Sequence, residues 1–599
     1  MSDTARSGAA SALPSASAAL PATLPSTLPS TLSTLPSTLH SALPSAVRPA
    51  APRLLRRLAP LGTLFVVVFA LVFLNAALTF DNLWPTPAVK PSPAVSLEFL
   101  ALLGVLLSAA AMSVHNRERV VRAAAVLYTL LVFGRYAEVT LPALFGRPIN
   151  LYWDGRHIPG LLVLAWQQTP LWQAAGMVVA AAALVLLVHL VLHRASHRVA
   201  FELARSSPGI RRATACAAGL VAAASLAAVL MPPLGGLPIG SHTHLRDYVV
   251  QPVTATLLKQ GRFVAAALSR TADRSLPPGP AFAGNVGALH GADLILVFLE
   301  SYGAAAFDND DYASRLAPRR AALESAVANG GRHVVSAFVR SPTFGGGSWL
   351  AHASLLSGID VSDPGDYDLL LTTRRPTLVS HFRSQGYGTV ALMPGIRADW
   401  PEGSFYGYDT LLDSRGIDYR GPDFGYWRIP DQFSIARFAE RRREAVGLQP
   451  QFLVFPTVTS HIPFGPVPPY QGDWSRLSAE APFPSGALSA SLARQPDWLD
   501  LGPAYVQTLS YAFDWVTGYV TQPTPRDYMM ILIGDHQPAA SVAGQDASWD
   551  VPVHLITSDA GLAERFAALG FTPGIMPRRP ALGPMSDLTK VLLQVLNLQ

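Results

Sequence analysis

The feature that most constrains this chain is a series of long apolar segments in its first 235 residues. Each has about 18–22 residues, which is enough for a helix to cross roughly 30 Å of hydrocarbon. The five segments are Leu61–Phe80, Leu97–Val114, Val120–Leu141, Trp172–Leu192 and Ala213–Leu230. Only 14% of all residues are charged, against about 25% in soluble domains. The sequence therefore predicts an N-terminal all-α transmembrane bundle of about five helices.

Basic residues are concentrated in alternate loops of this N-terminal half, and short basic loops favour the cytoplasmic side of a membrane. They precede the first apolar segment and follow the second and the fourth, as Arg53, Arg56, Arg57, Arg117, Arg119, Arg122, Arg194, Arg198, Arg205, Arg211 and Arg212. We therefore expect a multi-pass protein of the cell membrane with a cytoplasmic N-terminus. Everything after about residue 233 is then extracytoplasmic.

Composition divides the chain further. Residues 1–52 are rich in Ser, Ala, Leu, Thr and Pro and are predicted to be a disordered tail. Residues 53–232 form the predicted membrane domain, 233–285 a juxtamembrane connector, and 286–599 an extracytoplasmic domain. The net charge of +5 is modest and basic residues do not alternate with aromatic ones, so no nucleic-acid partner is expected. The single cysteine excludes an intrachain disulfide and a cysteine-based metal site.

Short apolar runs separated by helix-forming stretches follow the connector. The runs are Asp293–Glu300, His333–Val339, Gly388–Met393, Phe452–Val458, Tyr528–Gly534 and Val551–Thr557. Fully apolar strands are typical of an α/β domain whose mostly parallel sheet is covered on both faces. In such sheets the functional site lies beyond the carboxyl ends of the strands.

Polar side chains occur at or soon after the ends of these runs. Glu300 ends the first run, Asp535 and His536 follow Tyr528–Gly534, and His461 follows the run that ends at Val458. Ser348 follows three glycines and is predicted to begin a helix, whose free N–H groups suit a phosphate oxygen. Taken singly, these residues are more often turn, cap or surface residues. Taken together, two carboxylates and an imidazole can hold a divalent cation, which would make a nearby hydroxyl a nucleophile.

The segments LILVFLES, GGGSWLAH, TSHIPF and GDHQP, in this order, resemble motifs of the alkaline phosphatase and sulfatase superfamily. The resemblance covers roughly Asp293–Thr557 and is closest to the membrane-anchored branch that includes lipoteichoic acid synthase and phosphoglycerol transferases. It implies that Glu300, Asp535 and His536 bind one divalent metal ion, Mn²⁺ first, with Mg²⁺ or Zn²⁺ as alternatives. It also implies that Ser348 contacts the metal and forms a covalent phospho-enzyme, where the family usually has threonine.

The resemblance also assigns substrate contacts. His461 is expected to hold the phosphate group or to protonate the leaving oxygen. Trp400 resembles the family's substrate tryptophan. The family's arginine normally follows that tryptophan, where this chain has Pro401 and Glu402, and Arg397 is the candidate replacement.

The predicted activity is the transfer of a phosphate-linked head group, of the phosphoglycerol or phosphoethanolamine type. The expected donor is a membrane lipid and the expected acceptor an envelope glycan or lipid. Residues after Ser348 lack the proline and arginine of the formylglycine sulfatase pattern, which favours phosphate over sulfate esters. Two alternatives stay open: a phosphoester or sulfate-ester hydrolase with the same site, and a non-catalytic envelope sensor or assembly protein. A transporter is a further alternative, because Arg135 and Glu138 are paired charges within an apolar segment.

Overall fold

The computed structural model describes residues 51–83, 86–145, 151, 154–155, 170–230, 249–250, 252–268, 275–397, 399–425, 427–444, 449–479 and 481–598. The predicted disordered tail, except for its last two residues, lies outside this part of the chain, as does residue stretch 231–248 of the connector. The chain divides into two compact units, 1–63 and 64–599. The features below belong to the second unit unless a helix begins before it.

The described part of the N-terminal half is mainly helical. Its helices are α1 (Ala51–Ala76), α2 (Leu97–Ala110), α3 (Val114–Phe145), α4 (Leu171–Arg205), α5 (Pro208–Leu230) and α6 (Val253–Leu268). Three helical segments are long and apolar enough to cross a membrane: Val114–Leu144, Leu171–Arg205 and Pro208–Ala227. The apolar parts of α1 and α2 are shorter, at Thr63–Ala76 and Leu97–Ala110. Three candidate spans are thus present among the described residues, and the count of five stays a prediction.

A short antiparallel hairpin, β1 (Phe80–Asn82) and β2 (Val89–Pro91), follows α1. The buried Arg135 of α3 donates to the carbonyl oxygen of Phe80 (3.0 Å) and pairs with Asp81 and Glu138 (both 3.2 Å). Thr256 of α6 donates to Glu138 (2.6 Å). The paired charges of this apolar segment therefore attach the hairpin and the connector helix to α3, which gives them a structural role.

The C-terminal part is an α/β domain. Its strands are β3 (Asp293–Leu299), β4 (His333–Arg340), β5 (Gly388–Met393), β6 (Thr410–Asp413), β7 (Gln451–Pro456), β8 (Tyr528–Gly534), β9 (Asp550–Thr557) and β10 (Thr572–Pro573). Its helices are α7 (Ala305–Asp308), α8 (Asp310–Asn329), α9 (Ser348–Ser357), α10 (Pro364–Leu371), α11 (Leu378–Ser384), α12 (Gly403–Tyr406), α13 (Asp431–Glu444), α14 (Ser485–Ala493), α15 (Gly502–Val520), α16 (Ala540–Ala543), α17 (Ala560–Ala567) and α18 (Asp587–Leu596). Two 3-10 turns, Gly287–Leu289 and Trp474–Ser478, complete the described elements.

The eight strands form one sheet in the order β10-β4-β9-β8-β3-β7-β5-β6. Strands β8, β3, β7, β5 and β6 are parallel to one another, as predicted. The predicted strand at Val551–Thr557 belongs to β9, which is antiparallel to both neighbours. Alternate side chains of β3, such as Ile295 and Leu296, enter two separate buried clusters on opposite faces of the sheet. Burial on both faces explains why the strands read as continuous apolar runs.

The short helix α16 lies four residues after His536 and contacts α3 of the membrane half. The strand β8 leads into this segment through Asp535 and His536. The carboxyl end of β8 therefore lies only a few residues along the chain from the contact between α16 and the apolar helix α3.

Candidate active site

Glu300 is the first residue beyond β3 and is 7% exposed. The Thr457 hydroxyl, just beyond neighbouring β7, accepts from the backbone N–H of Glu300 (3.0 Å). The next residue, Ser301, has φ 58°, a left-handed conformation that is uncommon for serine. Its hydroxyl donates to Glu300 Oε1 (2.9 Å). This turn leaves Glu300 Oε2 directed toward the other polar groups of the site.

Asp535 follows β8, and the turn requires glycine at position 534. A Cβ at Gly534 would lie 1.8 Å from the carbonyl oxygen of Tyr302, so a larger residue would force the strand ends apart. Asp535 is 1% exposed, and its Oδ1 accepts from the backbone N–H of Ser301 (2.8 Å) and of His536 (2.7 Å). These two hydrogen bonds fix the carboxylate, while Oδ2 faces His536 Nε2 at 3.7 Å.

The ring of His536 is oriented by the chain that follows it. Its Nδ1 lies 2.7 Å from the carbonyl oxygen of Gln537. Because a carbonyl oxygen only accepts, Nδ1 carries a proton, and in the neutral ring Nε2 therefore presents a lone pair. Nε2 lies 3.5 Å from Glu300 Oε1. The imidazole is thus held in the tautomer that a metal ligand requires.

Ser348 begins α9, as the three preceding glycines predict. Gly345, Gly346 and Gly347 all have positive φ angles (64°, 136° and 80°), a conformation that other residues adopt only with strain. The turn brings Ser348 Oγ to 3.1 Å from Glu300 Oε2 and to 3.1 Å from His536 Nε2. No side chain caps α9, so its first N–H groups are available to an anion.

The donor set of this site fits a divalent cation. One oxygen or nitrogen from each of Glu300, Asp535 and His536 lies within 4.8 Å of the others, and all three residues are buried. Ser348 has a single proton, so it cannot satisfy both of the acceptors near it. Burial and the charge of Glu300 raise the pKa of Asp535 well above its usual value. Burial alone would also raise the pKa of Glu300. The nearby His461 and His536 instead hold the pKa of that carboxyl below its usual value.

His461 lies five residues beyond β7 and lines the same cavity as Glu300 and Ser348. Its Nδ1 is 2.8 Å from the carbonyl oxygen of Ile462, which leaves Nε2 for a ligand. Its ring meets Trp427 edge to face, with the centroids 4.9 Å apart. His461 thus lies beside the same cavity as Ser348, and its contact with a phosphate group or a leaving oxygen stays a prediction.

The loop that carries His461 is held by Asp431, which the sequence did not single out. Its carboxylate accepts from the backbone N–H of Val458 (2.8 Å) and of Thr459 (3.1 Å). Burial, with a contribution from the charge of Glu300, raises the pKa of Asp431 to about 6. No sequence signal marks this residue, because its partners are backbone groups nearly thirty positions away.

A cavity of about 390 Å³ opens beside Ser348. Its polar lining includes Glu300, His352 and His461, and its aromatic lining consists of Trp349, Tyr367, Trp400, Tyr406, Tyr408 and Trp427. Trp400 thus lines the same cavity as Ser348, and its role as a substrate contact stays a prediction. Arg397 is exposed and is not among the residues that line the cavity. The structure therefore brings together all the predicted site residues except Arg397.

His352 is the other residue that the sequence analysis missed. It stands four positions after Ser348 on α9, a spacing that places two side chains on one helix face and would have indicated it. Its ring packs on Phe298 with centroids 4.3 Å apart. Burial lowers the pKa of His352 to about 3, so the ring is neutral. Among the described residues its Nε2 is a buried atom without a hydrogen-bond partner.

Comparison with protein-family models finds no match, and comparison with curated proteins finds none either. Solved structures do match. One is a protein of the alkaline phosphatase superfamily from Vibrio parahaemolyticus (15% identity, TM-score 0.32, 55% of this chain and 73% of that chain). Another is the lipoteichoic acid synthase LtaP from Listeria monocytogenes (14%, 0.32, 56% and 78%). A third is the Streptococcus pyogenes phosphoglycerol transferase GacH in complex with sn-glycerol-1-phosphate (14%, 0.32, 57% and 80%).

Each of these is a distant likeness over about half of the chain, with a TM-score of 0.32. At 14–15% identity, it is the side chains of the site that carry the case for function.

Proposed function

We propose that this chain is a membrane-anchored, metal-dependent phosphotransferase. In this proposal it moves a phosphate-linked head group from a membrane lipid to an envelope glycan or lipid through a covalent intermediate on Ser348. Glu300, Asp535, His536 and the Ser348 hydroxyl hold one divalent cation, with Mn²⁺ the first choice. The protein lies in the cell membrane with its α/β domain outside the cytoplasm.

The observation that carries the proposal is the position of the Ser348 hydroxyl. It lies 3.1 Å from a carboxylate oxygen and 3.1 Å from an imidazole nitrogen, at the first residue of a ten-residue helix. The N-cap residue of α9 is Gly347, which has no side chain, so Ser348 stands at the first helical position and not at the capping position. Its hydroxyl faces the acceptors of the site, which is the arrangement expected of a nucleophile.

A divalent cation bound by these residues would lower the pKa of the Ser348 hydroxyl and offset charge on the phosphoryl oxygens. In the first half-reaction, a bond forms between Ser348 Oγ and phosphorus, and the bond from phosphorus to the leaving oxygen breaks. Ser348 loses its proton to solvent, and His461 gives one to the leaving oxygen. In the second half-reaction, an acceptor hydroxyl gives its proton to His461 and attacks phosphorus. Ser348 Oγ leaves and regains a proton, so the cycle balances.

The contact between α16 and α3 supports a lipid donor. Because α16 follows His536 by four residues, the site is tied to a helix with the length and composition of a membrane span. A head group would then reach Ser348 without the lipid leaving the bilayer. The extracytoplasmic position follows from the distribution of arginines in the loops.

The proposal is tested with the full-length chain in detergent, Mn²⁺ and an activated aryl phosphodiester. We expect release of the aryl alcohol, a covalent adduct on the protein, and loss of both when the metal is chelated. Adding a lipid or glycan acceptor should then yield a product that carries the head group. A product from water alone would favour the hydrolase, and the absence of any adduct and turnover from metal-loaded protein would contradict the proposal.

A further inference from the structure

The cavity beside Ser348 is lined by six aromatic side chains together with aliphatic residues such as Leu356, Met393 and Ile396. Three indoles (Trp349, Trp400, Trp427) and three phenols (Tyr367, Tyr406, Tyr408) line its 390 Å³. This volume is within the usual range for small-molecule sites, about 300–1,000 Å³. Six aromatic side chains are many more than an apolar wall needs, since aliphatic residues would fill the same space.

These rings are held in fixed positions by their surroundings. Trp400 stacks against Tyr406 and Tyr408, with centroids 6.0 Å and 6.4 Å away. A Cβ at Gly403 would lie 2.5 Å from the Trp400 ring, so only glycine admits the indole there. Trp427 lies against Gly395 in the same manner, at 3.0 Å. Two indoles therefore pack directly against glycine backbone. This close packing indicates a preformed pocket.

The charges around the cavity exclude an anionic occupant beyond the phosphate itself. Among the described residues, its lining contains no lysine or arginine. Glu300 is a carboxylate, and burial keeps the ring of His352 neutral by lowering its pKa to about 3. Burial also raises the pKa of Tyr406 and Tyr408, so the phenols stay uncharged. The phenol and indole groups of the lining also offer hydrogen bonds to a neutral polyol, so a glycerol ester belongs among the substrates that are compared.

Two buried polar atoms in the lining have no partner among the described residues. They are Nε2 of His352 and the hydroxyl of Tyr408. Buried polar atoms are nearly always hydrogen-bonded, so a bound ligand or ordered water is expected to complete them. An occupant with ester oxygens at one end and an apolar or weakly hydrated group at the other would satisfy both the orphan atoms and the aromatic walls.

We propose that the cavity receives a trimethylammonium group, so that the substrate class of this site is a choline phosphodiester. Electron-rich ring faces attract a quaternary ammonium, which has no hydrogen bonds to lose and sheds its hydration readily. The phosphorus lies at Ser348, and the two-carbon linker of choline places its methyl groups among the rings. The inference rests on the proposed function, because the bonds formed and broken at phosphorus are those described above.

The test compares four aryl phosphodiesters that differ only in the retained group: choline, its carbon isostere 3,3-dimethylbutyl, 2-aminoethyl and glycerol. The full-length Mn²⁺-loaded chain is used in detergent, and kcat/KM is measured for each. We expect the choline ester to exceed its uncharged isostere by about tenfold or more. The adduct on the protein should have the mass of phosphocholine. Equal rates for choline and its isostere would show an apolar pocket only and would overturn the inference.

Variants of Trp400 test whether the aromatic lining causes the preference for the choline ester. Trp400→Leu should reduce the ratio between choline ester and isostere toward one, whereas Trp400→Phe, which keeps a ring, should retain most of it. Trp498→Leu is the matched control, since Trp498 is 69% exposed and outside the cavity lining. The ratio of kcat/KM between the choline ester and its isostere is measured on the wild-type chain. The inference can therefore be tested even if a Trp400 variant folds poorly.

Two further substrates distinguish a lipid source of the choline group from a soluble one. The outcomes also show whether the inference or the proposed function fails. Phosphatidylcholine vesicles present the group on a lipid, and glycerophosphocholine presents it in solution. A phosphocholine adduct from either supports the inference and identifies the source. Preference for the glycerol or 2-aminoethyl ester would overturn the inference and leave the proposed transferase standing. No adduct from any ester would contradict the proposed function itself.

Discussion

The side chains around Ser348 determine what the site can bind. Two acceptor groups, Glu300 Oε2 and His536 Nε2, each lie 3.1 Å from the Ser348 hydroxyl. The carboxylates of Glu300 and Asp535 are buried close to each other in the same cluster. Buried like charges are costly unless a cation offsets them. The site is therefore incomplete as a purely structural hydrogen-bond network.

Removing one ligand tests this description of the site. Asp535→Asn keeps the shape of the side chain but removes the charge, so we expect loss of bound metal and a fall in turnover of at least about 10³-fold. Metal content by elemental analysis and the melting temperature are measured together. Asp546→Asn, at an exposed position, is the matched control and should change neither. Full metal occupancy in Asp535→Asn would refute the ligand assignment.

Asp431 predicts an unusual pH dependence of stability. Its pKa in the folded protein is about 6, above the ordinary value of 3.8. The folded state therefore binds this proton more tightly, and the stabilisation is lost as pH rises from about 4 to about 6, by on the order of 3 kcal/mol. We expect the melting temperature in detergent to decrease over that window because of this group. Asp431→Asn should flatten the decrease, and an unchanged pH profile in this variant would contradict the assignment.

At the scale of elements, strand ends bring distant segments to one place. Glu300 follows β3, Asp535 and His536 follow β8, and the loop of His461 follows β7. These strands are adjacent and parallel, so their carboxyl ends meet at one edge of the sheet. This is why residues up to 236 positions apart in sequence can share one cation.

The opposite end of β3 is held by a buried ion pair. Arg442 of α13 contacts Asp293 through two nitrogens at 3.0 Å and 3.1 Å, and both side chains are at most 9% exposed. Arg442→Met would leave a buried carboxylate without its partner, which typically costs about 3–5 kcal/mol. We expect a clear fall in melting temperature. Arg443→Met, one position along at an exposed site, should have little effect, and equal effects of the two variants would argue against the pair.

The sequence predicted the elements with long apolar signals well. The bounds of β5 and β8 agree with the prediction, and α9 begins at Ser348 as the glycines indicate. The sequence missed β6 and β10, which have four and two residues and carry too little pattern to be recognised. It also missed the direction of β9, because a strand buried on both faces reads alike in either orientation.

The sequence predicted the site residues that directly follow strands or glycines. It did not predict the residues that loops bring to the site. The candidate metal ligands follow strands, and Ser348 follows a run of glycines. The aromatic walls come from four separate segments, and the exposed position of Arg397 depends on a loop path that spacing does not reveal. Asp431 acts on backbone N–H groups, which leave no trace in the sequence.

For the whole molecule, the expected position of the α/β domain depends on the predicted five spans. Three helices among the described residues are long and apolar enough to be such spans. The arginine-rich loops then predict an extracytoplasmic α/β domain. A reporter fused after Arg198 should be active only in the cytoplasm, and one fused after Asn285 only outside it. The reverse pattern would place the site in the cytoplasm and contradict the envelope role.

The central claim is that phosphorus passes through Ser348. Its most direct test is the intact mass of the full-length, Mn²⁺-loaded chain after incubation with an activated phosphodiester. We expect one adduct in the wild type, none in Ser348→Ala, and a reduced but detectable adduct in Ser348→Thr, with metal binding largely retained in all three. Ser314→Ala, at an exposed serine of α8, is the control and should form the adduct normally. An adduct that persists in Ser348→Ala, or that maps to another residue, would contradict the account.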